Sequence, residues 1–145
     1  MESSKTKVTI LTLVYNGLPY LKESIDSTLN QSYKDFKFLI IDDASPDPNV
    51  SKLIESYDDN RIIHIVNEKN MGVSDTFNKA LEMIDTTYTV RIDQDDINSQ
   101  DRVKEQVEFL ENNKGISIIC SWEHTINSEG KLGKDWKRYC NNYGE

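Results

Sequence analysis

Positive charge, cysteine and long apolar runs are scarce in this sequence of 145 residues, and each shortage excludes a class of protein. The formal net charge of −8 argues against nucleic-acid binding through a basic surface. Two cysteines are too few for a disulfide framework, which fits a reducing cytoplasmic setting. No apolar run approaches the roughly 18 residues of a membrane span. An anionic ligand would therefore need backbone N–H groups or a metal ion to supply local positive charge.

Short apolar segments alternate with amphipathic segments along most of the chain. Runs rich in β-branched and aromatic residues predict strands at 8–15, 36–41, 62–66, 88–92 and 116–122. Apolar residues at helical spacing predict helices at 19–31, 50–57, 73–84 and 101–113. Asn127-Ser128-Glu129-Gly130 predicts a hairpin turn, with a short edge strand returning through residues 132–136. This order predicts an α/β fold with an open, mostly parallel sheet and helices on both faces.

A polar cluster follows each of the first four predicted strands. The clusters are Tyr15-Asn16, Asp42-Asp43, the segment 67–72, and Asp93-Gln94-Asp95-Asp96. Ligands of open parallel sheets bind beyond the carboxyl ends of the strands, where all four clusters are expected to lie. The sequence therefore predicts a ligand site at this edge of the sheet rather than four solvated loops.

The fourth cluster places three carboxylates within four residues, at Asp93, Asp95 and Asp96. Their mutual repulsion is costly unless water or a cation screens it. A hard divalent cation takes oxygen ligands and keeps water and substrate phosphates in its shell, so it suits such a turn. A solvated acidic turn with an Asp helix cap is the alternative that this stretch alone leaves open.

Four motifs occur in a fixed order along the chain. They are Tyr15-Asn16 with its following helix, Asp42-Asp43-Ala44-Ser45, Asn70-x-Gly72 with Asn78-x-Ala80, and Asp93-Gln94-Asp95-Asp96 with Asp101-Arg102. Together they resemble the nucleotide-sugar-dependent glycosyltransferases of family 2, over about residues 7–132. The resemblance implies the GT-A fold, a Rossmann-like open sheet flanked by helices, here ending after the donor-binding half.

The resemblance also implies roles at the nucleobase end of a donor site. Tyr15 should lie against the base or ribose, and the backbone around Leu13 should meet the base. Asp43 should accept a hydrogen bond from a uracil-like ring N–H, while Asp42 supports the pocket or is structural. Three residues of the third motif should shape the wall beside the nucleotide: Asn70, Gly72 and Asn78.

At the diphosphate end, the resemblance implies that Asp95 holds Mn²⁺ or Mg²⁺. Asp93 should approach the ribose or the metal's water shell, and Asp96 should brace the loop. The implied donor is a nucleotide-diphospho-sugar, with a UDP-sugar favoured, and the implied acceptor is a glycan or a lipid-linked glycan. The reaction would proceed with inversion, in surface polysaccharide synthesis at the cytoplasmic side or the inner face of the membrane.

The catalytic base is not assigned. Only 49 residues follow Asp96 (145 − 96), and Glu123 lies too close to the predicted hairpin to serve. We expect a lead at 1–6, a nucleotide-sugar-binding domain at 7–132, and an edge strand with a disordered tail at 133–145. The alternatives are a non-catalytic nucleotide-sugar-binding fragment and, outside the family, a receiver-like phosphoryl-transfer domain, which lacks its expected Lys. An unpaired sheet edge could pair with a second copy of the chain, so a homo-oligomer is a further expectation.

Overall fold

The computed structural model describes residues 6–121, 123–127 and 130–136, and within them strands and helices alternate as predicted from the first strand to the fourth helix. The strands and helices are β1 (Val8–Val14), α1 (Leu18–Leu29), β2 (Phe36–Asp42), α2 (Asn49–Glu55), β3 (Ile62–Val66), α3 (Val73–Met83), β4 (Tyr88–Arg91), α4 (Arg102–Asn112), β5 (Glu123–Ile126) and β6 (Leu132–Trp136).

The first four strands form one parallel sheet in the order β3-β2-β1-β4, which confirms the predicted open α/β architecture. The chain moves outward from β1 to β3 and then crosses back to place β4 on the other side of β1. Pairing is in register from Val8 onward, with Val14 opposite Asp42 and Leu11 opposite Arg91. The strand order therefore reverses between β1 and β4, and a crevice forms at such a switch point.

Apolar side chains cover both faces of the sheet. On one face, Val8, Ile10 and Val14 of β1 pack in a core cluster whose helical members come from α1, α2 and α4: Leu21, Ile25, Val50, Ile54, Val103 and Val107. On the other face, Leu11 packs with Leu39, Ile41 and Ala80, and Phe77 of α3 completes the cluster. Alternate residues of a strand point to opposite faces, so the nearly continuous apolar sequence of β1 serves both clusters.

The predicted strand at residues 116–122 is wrong. Residues 116–121 have no regular secondary structure, Ile118 is 82% exposed, and Trp122 lies outside the described residues. A strand needs a hydrogen-bonding partner, and the nearest one is set by the turn at Asn127–Gly130. The Gly130 N–H donates to the Asn127 carbonyl at 2.9 Å, and the flanking residues pair as β5 and β6.

A strand does lie at Leu132–Trp136, where the sequence predicts the returning edge strand, and it pairs antiparallel with β5 in a separate two-stranded sheet. The chain divides into two compact units, Met1–Val107 and Glu108–Glu145. All four parallel strands belong to the first unit. Residues 137–145 of the expected tail lie outside the described residues. Among the helices that the structure describes, none is both long and apolar enough to cross a membrane.

Candidate functional site

The carboxyl ends of the parallel strands bring three polar segments to one edge of the sheet. The Asp43 N–H donates to the Val14 carbonyl at 2.8 Å, and the Asn67 N–H donates to the Asp42 carbonyl at 2.8 Å. These bonds extend the ladders of β1, β2 and β3 by one residue each. The loops after the strands therefore begin at the same edge, as the sequence predicts.

Asp43 is buried at this edge, with 4% of its surface exposed. Its Oδ1 accepts hydrogen bonds from Asn67 Nδ2 at 2.7 Å and from the Met71 N–H at 3.0 Å, and its Oδ2 accepts one from the Gly72 N–H at 2.8 Å. Burial alone would raise the pKa of this carboxyl. Hydrogen bonds from Asn67, Met71, Thr76 and Gly72 outweigh it and hold the pKa below its ordinary value.

The Asn67 amide is held from both ends. Lys79 Nζ on α3 donates to Asn67 Oδ1 at 2.6 Å, while Asn67 Nδ2 donates to Asp43 and lies 3.3 Å from Thr76 Oγ1. Because an amide has distinct donor and acceptor ends, the ammonium group fixes which end faces the carboxylate. Lys79, Asn67 and Asp43 thus form one chain of hydrogen bonds from helix to strand end.

Gly72 lies at the start of α3 with a φ angle of 81°, which favours glycine. Apart from Gly72 and its two chain neighbours, no described residue has a heavy atom within 4 Å of the position that a Cβ would take. The φ angle of Gly72 therefore gives a conformational reason for glycine at this position. The other two predicted wall residues, Asn70 and Asn78, are exposed in the loop and on α3.

Asp42 is buried and engaged within the protein. Its Oδ1 accepts a hydrogen bond from the Ser45 N–H at 2.8 Å, and its Oδ2 accepts one from Ser51 Oγ at 3.1 Å. Ser45 Oγ in turn accepts from the Asn16 N–H at 3.0 Å. Of the two roles that the sequence left open for Asp42, the structure favours the structural one, because Asp42 shapes the loop that supports the turn after β1.

Tyr15 follows β1 directly, and 45% of its surface is exposed. Leu13, by contrast, packs its side chain against the cluster under α3. The Tyr15 N–H donates to Gln94 Oε1 at 2.9 Å, and Gln94 Nε2 donates to the Tyr15 carbonyl at 3.2 Å. The structure therefore brings Tyr15 and the Asp93–Asp96 segment together at the switch point between β1 and β4.

The segment Asp93–Asp96 forms a turn, which we call the acidic turn. The Asp96 N–H donates to the Asp93 carbonyl at 3.2 Å, and Ser24 Oγ of α1 donates to the same carbonyl at 3.0 Å. The Asp93 side chain is 54% exposed, and its Oδ1 lies 2.9 Å from Arg91 Nη2 and 3.0 Å from Arg91 Nε. Asp95 and Asp96 are also exposed.

The acidic turn suits a metal that shares its shell with a ligand. Within the described residues, no three His, Cys, Asp or Glu side chains converge as a metal site. A purely protein-built site is therefore not found there. Mg²⁺ and similar ions often use one or two carboxylates and fill their shell with water and substrate phosphates. The exposed carboxylates of Asp93 and Asp95 fit that second arrangement.

Four side chains that build this edge received no role from the sequence. They are Gln31, Asn67, Lys79 and Gln94. Buried Gln31 accepts a hydrogen bond from the Val103 N–H at 3.0 Å and donates to the Ser99 carbonyl at 2.7 Å, so it anchors the segment after the acidic turn. Its place inside the first motif was a usable signal. Gln94 stands between two predicted ligands, whereas nothing in the sequence singles out Lys79.

An open parallel sheet with polar loops beyond its carboxyl ends defines an α/β protein of the open-sheet type. The chain belongs to glycosyl transferase family 2, whose model matches residues 9–144. The family resemblance seen in the motifs is thereby confirmed.

Curated relatives carry the same family name. An uncharacterized glycosyltransferase of Methanocaldococcus jannaschii is 37% identical over 139 residues, covering 94% of this chain and 48% of the relative. The putative teichuronic acid biosynthesis glycosyltransferase TuaG of Bacillus subtilis is 32% identical over 112 residues, covering 76% of this chain and 44% of the relative. The chain thus spans about half the length of the curated relatives that it matches.

Solved structures confirm the GT-A fold. S. aureus TarS 1–349, crystallised with UDP-GlcNAc, matches with a TM-score of 0.67 and 21% identity, over 74% of this chain and 32% of TarS. The mannosyltransferase PcManGT of Pyrobaculum calidifontis, in complex with GDP-Man and Mn²⁺, matches with a TM-score of 0.65 and 24% identity, over 74% of this chain and 33% of that protein.

Proposed function

We propose that this chain is the donor-binding part of an inverting glycosyltransferase that uses a nucleotide-diphospho-sugar, with a UDP-sugar favoured. The observation that carries the proposal is the meeting of Tyr15 and the acidic turn at the switch point, joined through Gln94. Such a crevice offers an aromatic ring to a base and carboxylates to a metal-bound diphosphate. The UDP-GlcNAc and GDP-Man complexes of the structural neighbours support the ligand class.

At the base end, Tyr15 would lie against the nucleobase or ribose. Asp43 already accepts several protein hydrogen bonds, so a base N–H would share an oxygen that the protein also uses. We therefore assign Asp43 a larger part in shaping the pocket than in reading the base. It does so by holding Met71 and Gly72, next to the proposed wall residues Asn70 and Asn78.

At the diphosphate end, Asp95 together with Asp93 would hold Mn²⁺ or Mg²⁺ through carboxylate oxygens. When bound, such an ion stabilises the negative charge that develops on the departing nucleoside diphosphate. Arg91 keeps Asp93 oriented through its contacts with Oδ1. The Mn²⁺ in the mannosyltransferase complex supports this choice of cofactor. No residue of this chain is assigned as the catalytic base.

For the acceptor, we propose a glycan or a lipid-linked glycan in surface polysaccharide synthesis. The support is the name of one relative, a teichuronic acid biosynthesis glycosyltransferase. The whole protein's transfer reaction is part of the proposal, because this chain covers about half of such relatives.

Calorimetric titration with UDP, in the presence of Mn²⁺ or of EDTA, tests the proposed function. We expect Mn²⁺ to tighten UDP binding by on the order of tenfold or more, since an ion held by Asp95 and Asp93 would supply positive charge to the diphosphate. The Asp95→Asn variant should lose this metal-dependent gain. Asp58→Asn makes the same charge change in the exposed loop before β3, at the opposite edge of the sheet, and should keep the gain.

Absence of UDP binding with and without Mn²⁺ would refute the proposal. An Asp95→Asn variant that keeps the full metal-dependent gain would refute the assigned ligand. Binding of a UDP-sugar without any sugar transfer would favour the alternative, a nucleotide-sugar-binding module. Parallel titrations with GDP and ADP measure the preference for the base.

A further inference from the structure

The side chain of Gln94 bridges two loops that the sheet itself does not connect. Backbone pairing between β1 and β4 ends at Leu11 and Arg91, followed by one bond from the Ile92 N–H to the Leu11 carbonyl at 3.0 Å. Beyond that point, the Gln94 amide takes the place of a strand neighbour. Its Oε1 accepts from the Tyr15 N–H at 2.9 Å, and its Nε2 donates to the Tyr15 carbonyl at 3.2 Å. We call these two hydrogen bonds the Tyr15–Gln94 bridge.

Gly17 leaves the space that this bridge needs. A Cβ built on Gly17 would lie 2.4 Å from Gln94 Oε1 and 2.8 Å from Gln94 Cδ. The backbone of Gly17, with φ −79° and ψ 3°, is one that other residues adopt readily. Glycine at position 17 therefore leaves room for the Gln94 amide in its present position and is not explained by the Gly17 backbone conformation. Two residues far apart in the sequence are thus fitted to one contact.

We propose that Gln94 is a positioning residue that couples the nucleobase end of the donor site to its metal end. This inference rests on the proposed function of Tyr15, Asp93 and Asp95. Gln94 lies between the two carboxylates in the sequence, so a restraint on its side chain restrains the turn that carries them. The bond from Ser24 Oγ to the Asp93 carbonyl holds the same turn from α1.

The bridge has a thermodynamic consequence. A metal ion that orders the acidic turn also orders Tyr15 through Gln94, and a base bound at Tyr15 orders the turn in return. The gain in UDP affinity on adding Mn²⁺ therefore contains a contribution that depends on the bridge. Coupling of this kind typically changes affinity by five-fold or more.

The first experiment measures the ratio of the UDP dissociation constants in EDTA and in Mn²⁺. We expect Gln94→Ala to reduce this ratio by about five- to tenfold relative to the unmodified chain. Gln100→Ala removes an exposed glutamine side chain from the same loop and should leave the ratio unchanged.

The second experiment is a double-mutant cycle that uses Gly17 and needs no ligand. Gly17→Ala should lower the midpoint of urea unfolding in the unmodified chain, because the new Cβ displaces the Gln94 amide. In the Gln94→Ala background, the Cβ added by Gly17→Ala no longer clashes with an amide group, because residue 94 has lost its side-chain amide. Gly17→Ala should then be neutral or stabilising, since alanine loses less chain entropy on folding than glycine. The bridge thus predicts that Gly17→Ala lowers the midpoint of urea unfolding in the unmodified chain but leaves it unchanged or raises it in the Gln94→Ala background.

The outcomes separate the bridge from the proposed function. An equal cost of Gly17→Ala in both backgrounds would overturn the bridge. If Gln94→Ala still binds UDP and Mn²⁺ and its ratio of UDP dissociation constants in EDTA and in Mn²⁺ is unchanged, the proposed coupling is overturned but the proposed donor site is not. A chain that binds no UDP would overturn the donor site and the coupling together, while the unfolding cycle would still decide whether the bridge exists.

Discussion

Asp43 and the acidic turn end different strands of the same sheet, and their carboxylates are used in opposite ways. Asp43 is 4% exposed, and its two oxygens accept hydrogen bonds from the Asn67 side chain and from the backbone N–H groups of Met71 and Gly72. Asp93 is 54% exposed, and its one described side-chain contact is with Arg91 through Oδ1. Asp95 is likewise exposed.

The difference follows from burial. A carboxylate removed from water must find donors within the protein, and the ladder of β1 and β2 places Asp43 where the start of α3 supplies them. Exposed carboxylates are solvated by water, which a ligand can displace. The base end of the proposed site is therefore fixed before any ligand arrives, whereas the acidic turn keeps oxygens available for a metal and its diphosphate.

The largest effect in this comparison should come from Asp43→Asn. The new amide keeps one carbonyl oxygen but places its NH₂ group against either the Gly72 N–H or the Asn67 amide, so at least one donor loses its acceptor. We expect a loss of about 2–3 kcal/mol in the free energy of unfolding, measured by urea denaturation. Asp58→Asn is the matched exposed control and should cost less than about 0.5 kcal/mol. Equal losses of unfolding free energy in the two variants would show that Asp43 contributes no more to stability than a surface carboxylate does.

The next effect is the pH dependence of that loss. The folded-state pKa of Asp43 lies below its ordinary value of 3.8, so the unfolded chain takes up the proton first as the pH falls. The carboxylate's contribution to stability is therefore present above about pH 3.8 and is lost as the pH falls through the folded-state pKa. The stability difference between the unmodified chain and Asp43→Asn should narrow below pH 4.

Urea denaturation of both proteins between pH 6 and pH 3 measures this narrowing. Asp26 and Asp59 also have lowered pKa values, through hydrogen bonds from Lys22 and Arg61. Their contributions occur in both proteins and cancel in the difference. A difference that stays constant down to pH 3 would contradict the assigned direction of the pKa shift.

The fold was predictable from sequence as far as local patterns determine it. Alternating apolar and amphipathic segments located β1 to β4 and α1 to α4 within a few residues, because each buries a periodic apolar face. The strand predicted at residues 116–122 was wrong for a physical reason. Its apolar composition favours a strand, but pairing depends on a partner, and the turn at Asn127–Gly130 selects Glu123–Ile126 instead.

The site was predictable as a location but not as a network. The rule for carboxyl ends placed Tyr15, Asp43 and the acidic turn at one edge. It could not pair Gln94 with Tyr15, which lies 79 positions away in the sequence. That contact depends on the strand order β3-β2-β1-β4, which sets β4 beside β1. Alternation of strands and helices does not specify this order.

A smaller effect should come from Lys79→Met, which keeps the aliphatic stem and removes the donor to Asn67 Oδ1. The Asn67 amide then loses the contact that orients it toward Asp43. We expect a cost of about 1 kcal/mol in the free energy of unfolding. Lys37→Met breaks the exposed ion pair with Asp85 and serves as the control, with an expected cost below about 0.5 kcal/mol. If the two variants lose the same free energy of unfolding, the contact between Lys79 and Asn67 stabilises the fold no more than an exposed ion pair does.

The smallest effect should come from Arg91→Gln at the acidic turn. The Arg91 and Asp93 side chains are 53% and 54% exposed, so water screens their attraction and replaces it when it is lost. Urea denaturation should show a cost below about 0.5 kcal/mol, similar to Lys37→Gln. A loss of unfolding free energy above about 1.5 kcal/mol would show that the acidic turn, like Asp43, contributes substantially to the stability of the fold. A small cost would mean that the contact with Arg91 orients Asp93 without making the acidic turn part of the stable core of the fold, as a site completed by its ligand requires.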